Sequence, residues 1–201
     1  MPGEHIVEDA LAALTLARAL KIPDQISFAA LASYRGAWRR FEESELKIGN
    51  CKLKIINDYA HHPTEIAVTL KAVRQKYPKK KIWCVFQPHQ YQRTYYLFKE
   101  FVRALTEAPI DKLILTEIYS VAGRESQAIK KKVNSRRLAE AVRKILDTRY
   151  KIQDTKIIYI STLSKTAEYL KKNLRGGEVL VVIGAGDIYK LPDLLENRKR
   201  R

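Results

Sequence analysis

The stretch CKLKIINDYAHHPTEIAVTLKAVRQKYPKKKIWCVF, residues 51–86, changes texture twice. It opens on an extended run, Cys51 to Asn57, and passes through a polar corner. It then enters a segment from Pro63 to Tyr77 in which Ile66, Leu70, Val73 and Tyr77 fall on one helical face. It closes on Ile82 to Phe86, a short apolar run of the kind found in strands buried on both faces. Strand, helix and buried strand in this order read as a crossover unit of a parallel sheet.

The alternation continues outward. A helix is expected from Thr94 to Thr106, with Leu97, Phe98, Phe101, Val102 and Leu105 on one face, then a strand from Leu113 to Leu115. Ser135 to Leu146 reads as a helix, Ile157 to Ile160 as a strand and Ser164 to Leu174 as a helix. Val179 to Ile183 is the last strand, running into Gly184-Ala-Gly186. Upstream, Arg40 to Ile48 faces Cys51 to Asn57 across Gly49-Asn50, a hairpin signal. Residues 1–36 are different. Ile6, Val7, Ala10, Leu11, Leu14 and Ala17 recur at helical spacing, Ile22-Pro23-Asp24 breaks the pattern, and a shorter helix follows to Ser33. The expected class is α/β: a mostly parallel sheet covered by helices on both faces, with an N-terminal β-hairpin, over residues 37–201. The helical leader, 1–36, is too short to fold alone and reads as the end of a preceding domain.

With 46% apolar residues the chain can bury a core. No apolar run approaches the roughly 18 residues of a membrane span, and no basic-then-apolar signal segment opens the sequence. Cys51 and Cys84 form neither a CxxC motif nor a disulfide framework, which suits a reduced, cytoplasmic protein. The net charge of +16 gathers partly in Lys76-Tyr-Pro-Lys-Lys-Lys81, Lys130 to Lys132 and the tail Arg198 to Arg201. Apart from Tyr77 these runs contain no interleaved aromatic residue, and they fall at element ends, as solvated charge does. A nucleic-acid partner is the alternative for such charge, and small anionic substrates such as nucleotides are also served by it.

In open α/β sheets ligands bind at the carboxyl ends of the strands. Here those ends carry four polar loops, at Asp58–His62, Gln87–Arg93, Glu117–Glu125 and Gly184–Asp187, and three of the four histidines lie among them. A shared metal is disfavoured: His61 and His62 are adjacent at a strand end, so their side chains diverge, and no HExxH motif or third ligand accompanies them. No serine has a nucleophile-elbow context. His61 has a bland reading, packed or satisfied by backbone. Carboxylate or phosphate recognition fits better. His62 precedes Pro63, a residue suited to the first helical position, whose free N–H groups face the same rim. Arg93 can grip a carboxylate with two parallel bonds, and Asp58 can accept from ribose hydroxyls or an amine. Gly184-Ala-Gly186 allows close backbone approach or simply punctuates a turn, and the full GxGxxG pattern is absent.

Taken in order, PGEHIVEDALAAL (2–14), RRFE (39–42), NDYAHHPTEI (57–66), VFQPHQYQRT (85–94), EIYSVAGRE (117–125) and GAGDI (184–188) resemble the Mur ligases over nearly the whole chain. The resemblance implies a three-domain enzyme with a UDP-sugar domain, a central ATPase domain and a C-terminal Rossmann-like domain, of which this chain matches the tail of the second and all of the third. It implies a reaction in which ATP and Mg²⁺ phosphorylate the lactyl carboxylate of UDP-N-acetylmuramate and the amine of L-alanine attacks the acyl phosphate. It implies nucleotide contacts from His5, Arg39, Arg40, Asp58 and Tyr59, and an amino-acid pocket lined by His62, His89 and Arg93. Three positions depart from the family pattern: Ile6 and Asp9 stand where asparagines serving adenine are expected, and Gln90 where an arginine follows His89. No GxxxxGK[ST] phosphate loop occurs in the chain, so ligase activity is expected to need the missing N-terminal and central domains. Two alternatives stay open: a ligase attaching murein tripeptide to the same sugar nucleotide, and a non-catalytic basic α/β domain that binds nucleic acid.

Overall fold

The computed structural model describes residues 3–49, 51–123, 125–149 and 157–196. Asn50 of the expected hairpin turn, Arg124 of the third loop and the basic tail from Arg198 lie outside these residues. Within them the chain runs α1 (Glu4–Ala19), α2 (Asp24–Ser33), β1 (Glu42–Ile48), β2 (Cys51–Asp58), α3 (Pro63–Lys76), β3 (Ile82–Phe86), α4 (Tyr91–Tyr96) and α5 (Phe98–Thr106). It continues with β4 (Lys112–Leu115), α6 (Gln127–Lys130), α7 (Ser135–Arg149), β5 (Ile157–Tyr159), α8 (Leu163–Asn173), β6 (Val179–Ile183), a 3-10 turn (Asp187–Lys190) and α9 (Leu191–Glu196).

The strands form one sheet in the order β1-β2-β6-β3-β4-β5. β1 pairs antiparallel with β2 as a hairpin, Glu42 opposite Asn57 and Ile48 opposite Cys51, and every other pairing is parallel. Strand alternation sorts the core into two layers. Ile56, Cys84, Phe86, Leu115 and Val181 pack under α3, α5 and α7, where the Phe86 and Phe101 rings stack at 5.8 Å. Ile55, Trp83, Val85, Ile114 and Val182 face the opposite way, against α8 and α9. Helix, sheet, helix is therefore the order of layers, as the alternating pattern predicts.

Two local readings change. The expected helix from Thr94 is two helices that begin earlier, at Tyr91, and break at Leu97, whose backbone opens to φ −101° and ψ 23°. The run Thr94-Tyr95-Tyr96 favours helix poorly, since branched and aromatic side chains lose rotamer freedom there. The early start has a tertiary cause: the Glu125 carboxylate accepts the Tyr91 backbone N–H at 3.0 and 3.2 Å. The 3-10 turn and α9 after β6 were also not expected.

The leader forms a pair of helices that bury almost nothing. No residue of α1 is buried, and in α2 only Ser27 is. Val7, Leu11, Leu16, Leu20, Ile26 and Phe28 are all more than half exposed. A bidentate pair between Arg18 and Asp24, at 2.9 and 2.8 Å, ties the two helices together. This contrast is measurable by urea unfolding of the chain. Leu70→Ala, at a fully buried position, is expected to cost about 2–5 kcal/mol. Leu11→Ala, 57% exposed, should stay within about 0.5 kcal/mol of the parent.

Candidate functional site

β6 lies between β2 and β3. Beyond their carboxyl ends, β2 and β3 lead to α3 and α5 on one face, whereas β6 leads to α9 on the other. The chain therefore parts at the end of β6, the kind of switch point where open α/β sheets take ligands. The chain leaves β6 through Gly184, at φ 146°, where a Cβ would stand 2.7 Å from the Gln87 carbonyl oxygen. A Cβ on Gly186 would collide with Gln87 Oε1 and come within 2.5 Å of Tyr119 Cγ. Gln87 itself staples the loop, donating to Asp187 Oδ1 at 2.9 Å and accepting the Ile188 N–H at 3.1 Å. Both glycines thus allow close approach, though to neighbouring protein groups.

Asp58 and Arg39 are almost wholly buried. The Asp58 carboxylate accepts the N–H of Phe41 at 2.9 Å and of Ala60 at 2.7 Å. Burial pushes its carboxyl up from the usual range, against the pull of those two N–H groups. Arg39 donates to the Gly184 carbonyl oxygen, and its guanidinium lies 5.2 Å from the rings of Tyr59 and Tyr189 and 5.5 Å from Trp38. Arg39 and Phe41 both adopt left-handed backbone, φ 56° and 49°, a costly conformation for side chains of their size. The two buried contacts hold it. Arg40 is exposed, its guanidinium 5.8 Å from the Tyr59 ring. His5 is not brought to this rim. Its helix begins beside Ala72, with Glu4 paired to Lys71 at 3.8 Å, roughly 15 Å along α3 from the rim.

The remaining three histidines do lie at the rim, and their partners indicate which ring nitrogen carries the proton. His61 Nδ1 lies 2.9 Å from the Tyr59 carbonyl oxygen, which can only accept, so Nδ1 bears the hydrogen and Nε2 a lone pair. His62 caps α3: its Nδ1 accepts the Thr64 N–H at 3.3 Å, which puts the hydrogen of the neutral ring on Nε2. Arg93 Nη1, which can only donate, lies 3.4 Å from both the His89 carbonyl oxygen and His89 Nδ1; where Nδ1 accepts, the neutral ring offers Nε2–H. Burial, with the positive charge of Arg93 next, pulls the His89 imidazole below its ordinary value. The His61 and His89 rings meet edge to face at 6.0 Å, and His89 stacks on Tyr119 at 5.5 Å with 8° between planes. The rim thus presents two ring N–H donors, one guanidinium and one ring lone pair. His61 and His62 spend their Nδ1 atoms on different backbone groups, and among the described residues no group of three metal-binding side chains occurs.

Several residues at this rim were not legible as site residues. Glu65 closes a capping box, accepting the N–H of His61 at 2.9 Å and of His62 at 3.1 Å. Glu125 accepts the N–H of Val121 as well as that of Tyr91, tying the third loop to the second. Tyr119 bridges the same loops through its backbone, taking the Gln90 N–H and donating to Pro88 O. Only the Thr64-Glu65 pair after a histidine hinted at any of this. The lysine run at 130–132 also gains what its sequence lacks, with Lys130 5.5 Å from the Tyr91 ring and Lys132 5.6 Å from Tyr95.

Two substitutions probe the arrangement. Gly186→Ala must displace Gln87 or Tyr119 and should cost about 1–3 kcal/mol in denaturant unfolding. Glu65 gives a signed pH effect. Burial pushes its carboxyl up, but the His61 and His62 N–H groups outweigh burial and hold it below the ordinary 4.5. Its stabilising contribution is therefore complete above the unfolded-state value and is lost as pH falls through the lower folded one. The stability gap between the parent chain and Glu65→Gln should accordingly close on acidification below about pH 4.5, followed by urea midpoints across that range.

Residues 39–186 match the family model described as Mur ligase, glutamate ligase domain. The UDP-N-acetylmuramate–L-alanine ligase of Acetivibrio thermocellus is 40% identical over all 201 residues, and that of Nitrosomonas eutropha 39% identical over 199. The chain spans 39% of the length of each of these relatives. Among solved structures, the UDP-N-acetylmuramate–alanine ligase of Thermotoga maritima superposes with a TM-score of 0.70 at 24% identity, covering 98% of this chain and 38% of that one. The murein peptide ligase of Psychrobacter arcticus does so at 0.63 and 20%, covering 100% and 39%; both establish likeness of fold. With the family model spanning the whole sheet and reaching residue 186 in the last loop of its rim, the chain belongs to the Mur ligase family.

Proposed function

We propose that this chain is the acceptor-binding portion of an ATP-dependent ligase that joins L-alanine to UDP-N-acetylmuramate in cytoplasmic peptidoglycan precursor synthesis. The observation that carries the reading is Arg93 standing 3.4 Å from His89 at the end of β3, with His62 on the same rim at the end of β2, in a chain 40% identical throughout to a ligase of that name. Such donors suit a carboxylate, and fixing the carboxylate of an amino acid directs its amine toward a second, activated carboxyl. On this reading Arg40 and Tyr59, at the surface beside β2, meet the nucleotide. Arg39 and Asp58 act behind them by pinning the segment that bears Arg40, and His5 belongs to the helical tail of the central domain. The two helices end that domain, and the remaining residues from 37 form the C-terminal one. Their exposed apolar side chains are covered, on this view, by the rest of the central domain.

ATP and Mg²⁺ are required by the whole reaction. The chain has no phosphate loop and, among its described residues, no carboxylate cluster for the ion, so it does not itself fit a Mg²⁺ site. Activation of the sugar carboxylate belongs to the domains absent from this chain. Two measurements test the proposal. Incubated alone with ATP, Mg²⁺, L-alanine and UDP-N-acetylmuramate, the chain should release no phosphate above background, and robust release would overturn its assignment as an incomplete ligase. In NMR titrations L-alanine should shift His62 and His89 side-chain resonances. A response to murein tripeptide but not alanine would favour the peptide-ligating relatives. Salt-sensitive retention of DNA or RNA with no response to either would favour a nucleic-acid-binding domain instead.

A further inference from the structure

His61 differs from the other two rim histidines in a way the recognition of a carboxylate does not use. Its Nδ1–H is committed to the Tyr59 carbonyl, so the neutral ring holds a lone pair on Nε2, and no described residue engages that atom. The side chain is one-fifth exposed and its ring meets His89 edge to face. The Glu65 carboxylate stands 3.5 Å from Nδ1 while anchored by two backbone N–H groups of its own. A carboxylate fixed behind an imidazole N–H, with the far nitrogen free, stabilises the imidazolium that forms when the ring takes a proton. Around this pair lie Arg40 and Asp58 on the β2 side and Arg93 and His89 on the α4 side.

We infer that His61 is the proton acceptor for the amine of the incoming amino acid, its Nε2 lone pair standing unengaged among the described residues while the rim carboxylates of Asp58, Glu65 and Glu125 are taken up by backbone N–H groups. The inference rests on the acceptor reading given above and adds a step to it. The ammonium of the amino acid donates a hydrogen bond to His61 Nε2 and passes one proton to it. The nitrogen lone pair so freed attacks the carbonyl carbon of the acyl phosphate. A carbon–nitrogen bond forms, the bond from that carbon to the phosphate oxygen breaks, and phosphate departs with the bonding pair. The second proton lost by nitrogen leaves with the phosphate as hydrogen phosphate. Glu65 touches no reacting atom and acts as a positioning residue, holding the ring and its charge.

The experiment compares L-alanine with propionate, which has the same carboxylate and no amine. Nitrogen-15 spectra of the full chain report the tautomer of each histidine directly. In the free chain His61 should be protonated on Nδ1 and bare on Nε2, with His62 and His89 the reverse. Both ligands should shift His62 and His89, and only alanine should shift His61 Nε2 toward its protonated position. His61→Asn keeps an N–H for the Tyr59 carbonyl but removes the base, and an unchanged amide spectrum verifies its fold. Its preference for alanine over propionate should fall roughly tenfold or more, the value of a hydrogen bond to a charged group. A hydrogen on Nε2 in the free chain, equal His61 shifts from both ligands, or an unchanged preference in the variant overturns the role of His61 and leaves the acceptor site standing. No shift of His62 or His89 by either ligand overturns the site itself, and the role with it.

Discussion

Strand β6 is enclosed on every side: a parallel neighbour along each edge and a helical layer over each face, so that Val179–Ile183 are at most 1% exposed. Five consecutive apolar residues satisfy that enclosure, and the backbone pairs on both edges. The constraint falls on what comes next. The chain must leave the middle of the sheet between loops already occupied by β2 and β3, and it can do so only with little side-chain volume. Gly184 and Gly186 meet that demand, one by a left-handed backbone against the Gln87 carbonyl and the other by yielding space to Gln87 and Tyr119. Tyr119 can then lie under His89, whose ring meets that of His61 edge to face.

The chemistry of the rim is decided mostly by backbone. A histidine beside a carbonyl and a histidine beside an N–H are opposite reagents at their far nitrogens, although the residue is the same. His61 and His62 are neighbours in the chain, yet one turns to the carbonyl of Tyr59 and the other to the N–H of Thr64. The corner between β2 and α3 makes that difference. Pro63 starts the helix, His62 caps it, and His61 is left on the strand side with its ring turned back toward residue 59.

The sheet and its main helices were legible because the signals are local: apolar runs bounded by polar corners, and faces repeating at helical spacing. The strand from Ile82 to Phe86 and the helix from Pro63 stand where those patterns end. The convergence of the loops at Asp58, Gln87, Glu117 and Gly184 was also readable, since parallel strands end on the same side. The break at Leu97 and the start of α4 were not. The start depends on a carboxylate 34 residues away in sequence, which no local propensity encodes, and the break was masked by apolar residues that keep helical spacing across it. The burial of Arg39 was hidden for a similar reason, because its cage of Trp38, Tyr59 and Tyr189 assembles from three separate parts of the chain.

The segment from Arg39 to Phe41 is where the helical pair joins the sheet, and it is fastened at three points: Arg39 to Gly184, the Tyr59 N–H to the Arg39 carbonyl, and the Phe41 N–H to Asp58. Two left-handed residues in a run of three leave it few other shapes to relax into. A junction fastened in this way is a fixed point and not a hinge. Any turning of α1 and α2 against the sheet falls instead on residues 34–37, which lie in no helix or strand and include Gly36 at φ 94°.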